Sequence, residues 1–208
     1  MKKRFKTRQL LALLVISLLG FYIYGAQSGD DSPEYPTVQP IAFSHKIHAG
    51  ENEIPCQYCH AYSSKAAHPG IPSVKSCMGC HNYVLGEDRD YDYNGVKINF
   101  KKEIEKLRGT SAVEGYWQRG EPIPWLKFHF VPQHARFKHK PHIRAGMECS
   151  ECHGDVKEMD LVKPVNKIEM GFCISCHKVK QKTEQEMVKL AGEGKELVYL
   201  IDCNTCHY

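Results

Sequence analysis

Beyond its first few residues, the sequence lacks a block of charge of one sign. Its 28 lysine and arginine residues interleave with 24 aspartate and glutamate residues, and the formal net charge is only +4 over 208 residues. Nucleic-acid-binding proteins usually cluster their basic residues, so this pattern gives no reason to expect a nucleic-acid partner. A hydrophobic content of 42% and a mean hydropathy of -0.46 are typical of a soluble domain.

The sequence also has no unpaired cysteine. Its 10 cysteines form five C-x-x-C pairs, and a histidine follows the second cysteine of every pair. This spacing is the attachment signature of c-type haem, because two thiols can form thioethers along one porphyrin edge while the histidine binds the iron. Zinc ribbons, disulfides and thioredoxin-like pairs do not require that histidine, and its chance occurrence after all five pairs is on the order of one in a million.

The motifs therefore predict five covalently attached haem c groups and their iron ligands. The predicted thioether cysteines are Cys56, Cys59, Cys77, Cys80, Cys149, Cys152, Cys173, Cys176, Cys203 and Cys206. The predicted proximal iron ligands are His60, His81, His153, His177 and His207. About 36 residues per haem are too few for an ordinary apolar core, so we expect the haems to supply much of the core.

The N-terminus is predicted to be a targeting segment, residues 1–26. Basic residues between Lys2 and Arg8 precede an apolar run from Leu10 to Tyr24. Because haem is attached to c-type apocytochromes outside the bacterial cytoplasm, export is expected. The run could be a cleaved signal peptide or a retained transmembrane helix, and we favour the anchor, with the haem domain on the periplasmic side of the bacterial inner membrane. No cysteine stands directly after the run, since the first one is Cys56, and this excludes a lipoprotein.

A six-residue pattern, F-x-H-K-x-H, occurs twice. Phe43 to His48 precedes the first attachment motif, and Phe137 to His142 precedes the third. The recurrence indicates a duplicated haem-binding module. Two histidines three residues apart and close to a haem can point at two neighbouring irons.

This pattern resembles the cytochrome c3 and c7 class of multihaem cytochromes. The resemblance implies that His45 caps the haem of Cys56 and Cys59, and that His48 caps that of Cys77 and Cys80. His139 would cap the haem of Cys149 and Cys152, and His142 one of the last two. The fifth distal ligand stays open among Met159, Met170 and His129, while His68 and His134 are expected to contact propionates or solvent.

The predicted fold is a multihaem cytochrome c with little regular secondary structure, in which short α-helices and long loops surround five haems, plus the N-terminal transmembrane helix. After a proline-rich linker (27–40), we expect a two-haem module (41–81), a connecting segment (82–128) and a three-haem module (129–208). Within them we predict a turn at Asn94–Gly95, a helix from Phe100 to Arg108 capped by Asn99, and a short helix from Thr183 to Ala191. The aromatic, proline-rich stretch from Tyr116 to Trp125 is interpreted either as a loop covering haem edges or as a docking surface.

Almost the whole chain also resembles the pentahaem subunit of alternative complex III. The resemblance is carried by the five motifs and by Glu103 to Leu107, Gly120 to Trp125, Met170–Gly171 and Asp202 to His207. It implies a membrane-anchored periplasmic subunit that takes electrons from quinol oxidation, through an iron–sulfur protein among integral membrane subunits, and passes them to a monohaem cytochrome or terminal oxidase. It also implies mostly bis-histidine haems and one histidine–methionine haem, which favours Met159 or Met170.

Such a subunit would transfer electrons and have no catalytic site of its own. One alternative is a soluble periplasmic carrier of the c3 type. Another is a multihaem reductase, which would need one iron with an open coordination position, whereas spare histidines and methionines here are enough to cap every iron.

Overall fold

The computed structural model describes residues 13–20, 22, 38–191 and 201–207. The chain divides into two units, Met1–Tyr35 and Pro36–Tyr208. In the first unit, residues 13–20 are helical. None of the helices in these described ranges is both long enough and apolar enough to cross a membrane. The predicted anchor (1–26) and the predicted linker (27–40) fall mostly outside the described residues.

Short helices dominate the second unit, and each of the five C-x-x-C pairs lies in a helix, which is short for four of them. The α-helices are α1 (Cys56–Cys59), α2 (Val74–His81), α3 (Phe100–Arg108), α4 (Tyr116–Arg119), α5 (His139–Arg144), α6 (Cys149–His153), α7 (Met170–Ala191) and α8 (Cys203–Cys206). A π-helix spans Lys46–Glu51 and a 3-10 turn spans Val156–Glu158. The prediction of short helices around the haem sites is confirmed at four attachment motifs, whereas the motif with Cys173 and Cys176 lies in the long helix α7. The helix predicted from Thr183 is the second half of α7, which runs unbroken from Met170 for 22 residues.

A β-hairpin leads into helix α3. Strands β1 (Asp90–Tyr93) and β2 (Val96–Asn99) pair antiparallel, with Tyr93 opposite Val96. Asn94 and Gly95 connect them with φ of 53° and 84°, the positive angles that a two-residue hairpin turn requires. Asn99 then caps α3 by accepting a hydrogen bond from the Lys102 backbone N–H at 3.2 Å. The predicted turn and the predicted helix are both confirmed.

The apolar core is small. Seven hydrophobic residues of the described chain are buried, in two clusters: Ile41, Met78, Leu107 and Ile123 in one, and Ala42, Tyr93 and Leu161 in the other. Beyond residue 129 only Leu161 belongs to this set among the described residues. A conventional core therefore supports residues 38–128 far more than the later part of the chain.

The connecting segment packs against the first module. Ile123 is buried with Ile41, and Trp125 makes an edge contact with Phe43 at 6.5 Å between ring centroids. The Gln39 amide bonds the Leu126 backbone in both directions, donating to its carbonyl at 2.9 Å and accepting from its N–H at 2.8 Å. These contacts support a structural role for this part of the aromatic, proline-rich stretch.

Candidate haem-binding sites

The two F-x-H-K-x-H segments place their histidines in the same way. Phe43 packs face to face with the His48 ring at 4.2 Å and edge-on to the His45 ring at 4.9 Å. Phe137 repeats this geometry, at 4.7 Å from His142 and 4.8 Å from His139. One phenyl ring therefore separates two imidazoles and points them in different directions. This is the structural reason for phenylalanine at the start of each segment.

Hydrogen bonds hold the distal candidates by one ring nitrogen. His48 Nδ1 lies 2.7 Å from the Ser44 carbonyl oxygen, and His142 Nδ1 lies 2.7 Å from the carbonyl oxygen at the equivalent position, Lys138. His139 Nδ1 lies 3.2 Å from the Ala67 carbonyl oxygen. A carbonyl can only accept, so Nδ1 carries the proton and Nε2 keeps the lone pair that a metal needs.

Three ring pairs have the spacing that an iron between them requires. Two imidazoles bonded to one metal from opposite sides, each at about 2.0–2.1 Å, have ring centroids roughly 6 Å apart. The observed centroid distances are 6.0 Å for His48 and His81, 6.3 Å for His139 and His153, and 5.9 Å for His142 and His177. Each pair joins a predicted distal histidine to a predicted proximal one.

Burial keeps several of these imidazoles neutral. It lowers the pKa of His45 to about 4, with smaller contributions from His60 and His48. It likewise lowers the pKa of His153 to about 4, with smaller contributions from neighbouring rings including His129. Nδ1 of His45 is buried without a hydrogen-bond partner. A neutral imidazole is the form that binds iron, so the burial suits ligation.

The proximal candidates are also held through Nδ1. His60 Nδ1 lies 3.2 Å from the Gly70 carbonyl oxygen, and His81 Nδ1 lies 2.9 Å from that of Val84. His153 Nδ1 instead lies 3.4 Å from Nε2 of His129. Outer partners of this kind fix the tautomer and orientation of a ligating ring and tune the metal that it binds.

His134 and His207 form a fourth close ring pair with a different geometry. Their rings are nearly parallel and 5.6 Å apart, but Ala135 pairs with His207 in an antiparallel bridge. Bridged residues have Cα atoms only about 4.5–5.5 Å apart, which leaves no space for a porphyrin between the two backbones. A haem bound by His207 would therefore have His134 on the same side of the porphyrin as His207. The His134 carbonyl oxygen lies 3.2 Å from His207 Nδ1.

The three candidates for the fifth distal ligand lie in different places. The ring centroids of His129 and His153 are 4.7 Å apart, too close for these two rings to share an iron, and His129 Nε2 lies 3.4 Å from His153 Nδ1. The Met159 carbonyl accepts a hydrogen bond from Lys46 N–H, beside the first module. Met170 begins α7, is 65% exposed, and stands one helical turn before Cys173 on the same face.

The first three attachment motifs adjoin one another. Burial raises the pKa of the Cys59 thiol, and the neighbouring thiol of Cys80 in the second motif raises it further. Burial raises the pKa of the Cys149 thiol in the third motif, and the thiol of Cys56, which hydrogen-bonds to it, adds to the shift. The first motif therefore lies between the second and the third.

The remaining motifs extend this series. Burial, followed by the nearby thiol of Cys176, raises the pKa of the Cys152 thiol. Burial, followed by the nearby thiol of Cys206, raises the pKa of the Cys173 thiol. These neighbouring thiols link the second motif to the first, the first to the third, the third to the fourth and the fourth to the fifth. All ten cysteines are free thiols, each available for a thioether.

These residues fit c-type haem: each motif offers two free thiols and an adjacent imidazole, and three of those imidazoles face a second one at the required distance. Residues 141–208 match the family model described as cytochrome c3, and residues 25–103 match that of the class III cytochrome C family. The chain is a multihaem cytochrome of the cytochrome c3 type. This cytochrome is also 29% identical over 174 residues to the multihaem cytochrome c subunit of menaquinone reductase from Nitratidesulfovibrio vulgaris (strain Hildenborough). The alignment covers 81% of this cytochrome and 67% of that protein.

Two side chains that hold haem-binding segments of this cytochrome in place could not be identified from the sequence. Asp160 accepts hydrogen bonds from Ser44 Oγ at 2.5 Å and from the Tyr91 hydroxyl at 2.8 Å, and so ties the first F-x-H segment to the hairpin. Arg136 contacts the backbone of the last motif, about 70 residues away along the chain. Sequence reasoning missed both because neither belongs to a motif and their partners are remote.

Proposed function

We propose that this chain binds five haem c groups and acts as the electron-transfer subunit of a quinone-linked membrane complex. The observation that carries the proposal is the series of five thiol–imidazole motifs, in which the thiols of each motif lie close enough to those of the next to influence their pKa. Bound haem iron supplies a one-electron redox centre at each motif. A series of such centres suits the movement of electrons between partners at its two ends, the second motif and the last.

The chain's own residues attach, orient and shield the cofactors. The cysteine pairs form the thioethers, and the imidazoles of the motifs bind from the proximal side. Distal ligation by His48, His139 and His142 is supported by the ring spacings and by the Nδ1 hydrogen bonds. For His45 the support is its burial beside Phe43, which lowers the pKa of the imidazole and favours the neutral form that binds iron. Met170 is the best placed of the three candidates for the fifth distal position, because its helix adjoins the last motif at Cys173.

The complex that we propose as a partner resembles alternative complex III, with an iron–sulfur protein, integral membrane subunits, a monohaem cytochrome and a terminal oxidase. We place the chain on the periplasmic side of a bacterial inner membrane, held by residues 1–26. The basic residues before the apolar run support this orientation. Extraction of membranes at alkaline pH should leave the protein in the pellet if the anchor is retained, and release it if the segment is cleaved.

The first test is the number of haems. The intact mass of the mature protein should exceed that of the polypeptide by five haem groups, and a pyridine haemochrome assay should give the same number. Fewer groups, or a colourless protein, would contradict the proposal. The reduced protein should not bind carbon monoxide strongly, whereas strong binding would favour a multihaem reductase with an open iron position.

The second test is the direction of electron flow. In membranes that contain the complex, a menaquinol analogue should reduce the haems if the chain receives electrons from quinol oxidation. The name of the menaquinone reductase relative favours a second candidate, delivery of electrons to menaquinone. In that case pre-reduced haems should be reoxidised by a menaquinone analogue. If neither reaction occurs and the protein purifies without membrane subunits, a soluble carrier of the c3 type is the better description.

A further inference from the structure

The last haem-binding motif is held in place by an arginine from another part of the chain. Helix α8 is a single turn, and the last carbonyl groups of any helix have no partner within it. Arg136 Nε donates to the His207 carbonyl at 3.0 Å, and its Nη2 donates to that carbonyl and to the Asn204 carbonyl at 3.2 Å. The Arg136 backbone N–H donates to the Cys206 carbonyl at 2.6 Å.

The other end of this turn is capped locally. Asp202 accepts a hydrogen bond from the Asn204 N–H at 2.7 Å, which is an ordinary N-cap. A single helical turn is marginal by itself, because fixing its dihedral angles costs more than one internal hydrogen bond returns. The C-terminal end of α8, which leads into His207, therefore depends on Arg136.

The first module has no equivalent of this arginine. Arg136 stands immediately before Phe137, and the corresponding residue before Phe43 is Ala42. The Ala42 N–H donates instead to Glu103 Oε2 at 2.9 Å. The repeat therefore differs at this position in the module that carries the additional, fifth motif.

We propose that Arg136 is a positioning residue for the last haem-binding motif, fixing the backbone of His207 so that its imidazole keeps one orientation toward the iron. The inference rests on the proposed binding of haem at Cys203 and Cys206. The neighbouring residue His134 contributes its carbonyl to His207 Nδ1, so both contacts come from one short segment. Hydrogen bonding and orientation of a proximal ligand tune the potential of its iron.

The guanidinium group suits this position better than an ammonium group would. Its planar fork lets two nitrogens reach two carbonyl groups at fixed angles, whereas a lysine offers a single point charge on a flexible stem. Arg136→Lys should therefore keep part of the effect, and Arg136→Gln should lose most of it.

The test compares Arg136→Gln and Arg136→Lys with a matched control, Arg144→Gln, in the full-length protein. Arg144 is exposed at the end of α5. Haem number by intact mass, a spectroscopic redox titration and the low-temperature electron paramagnetic resonance spectrum of the oxidised protein should be recorded. We expect Arg136→Gln to shift the midpoint and signal of one haem, or to lower its occupancy, with a smaller effect of Arg136→Lys and none of Arg144→Gln.

A second background assigns the change to the last site. In a Cys203→Ser, Cys206→Ser protein, which cannot form thioethers there, Arg136→Gln should have no further effect on the remaining haems. The proposal is overturned if Arg136→Gln leaves the mass, titration and spectrum as in the wild type. It is also overturned if all haems change together, or if the shift persists in the double-serine background. A wild-type protein without haem would instead refute the proposed function.

Discussion

Replacing Gly50 by alanine would test whether a close backbone contact with Lys157 fixes the π-helix that carries His48. A Cβ added at Gly50 would collide with the Lys157 carbonyl oxygen of the 3-10 turn Val156–Glu158. Gly50 does not have a positive φ, so alanine suits its backbone conformation. The contact with Lys157 alone therefore decides whether alanine is tolerated.

Two opposing effects set the expected magnitude of Gly50→Ala. Replacing a helical glycine by alanine normally stabilises a protein by about 0.5–1 kcal/mol. Overpacking typically costs about 1–3 kcal/mol, and a backbone carbonyl cannot swing aside as a flexible side chain can. We therefore expect a net loss of about 1–2 kcal/mol in the free energy of unfolding.

The collision should also disturb the second haem site. His48 stands two residues before Gly50 on the same π-helix, with its ring centroid 6.0 Å from that of His81. If the π-helix and the 3-10 turn move apart, this spacing changes, and one haem should show a shifted midpoint. Chemical denaturation and a redox titration of the same sample measure the two effects together.

The matched control is Gly79→Ala. Gly79 is helical in α2, and an added Cβ would meet no protein atom within 4 Å. This variant should be as stable as the wild type or slightly more so. The reasoning would be refuted if Gly50→Ala raised the free energy of unfolding by as much as Gly79→Ala does and left the redox midpoints of the haems unchanged.

Changes at three other sites have separate expected outcomes. Tyr93→Phe removes the hydroxyl that donates to the Phe43 carbonyl at 3.2 Å. Chemical denaturation should show a loss of about 1 kcal/mol in the free energy of unfolding. His142→Ala should open the position opposite His177, so that one haem equivalent of the reduced protein binds carbon monoxide. Because burial lowers the pKa of His45 to about 4 from 6.5, the unfolded chain binds that proton more readily. The contribution of His45 to thermal stability should therefore be constant above about pH 6.5, fall as the pH drops toward 4, and level off below, as measured by comparing the wild type with His45→Ala at each pH.

Each of these outcomes has a control. Tyr83 is 87% exposed, and Tyr83→Phe should leave the unfolding free energy unchanged. Lys138→Ala keeps the carbonyl that holds His142 and should not create a carbon monoxide site. Stability that rises on acidification would contradict the reasoning for His45.

Local features of this chain could be predicted because their causes are local. The Asn94–Gly95 turn follows from the positive φ angles that these residues tolerate, and α3 begins at Asn99 because that side chain can cap its own helix. The F-x-H-K-x-H repeat was visible as a pattern. Its physical meaning, that one phenyl ring packs against two imidazoles at different angles, is seen only in the tertiary structure.

Features that depend on remote partners could not be predicted. The sequence predicted only the second half of α7, because the first half has no recognisable helical pattern of its own. The contact of His129 with His153 depends on two segments 24 residues apart. The same holds for His134 and Arg136 at His207, where the partners are more than 70 residues apart.

The sequence by itself determined that this is a multihaem c-type cytochrome, because the spacing of two thiols and an imidazole is a property of five consecutive residues. The tertiary structure alone decided which motifs are neighbours, which imidazoles face one another and what orients each ring. These relations depend on how the loops and helices pack. A short-range pattern cannot encode the distance between atoms that lie dozens of residues apart.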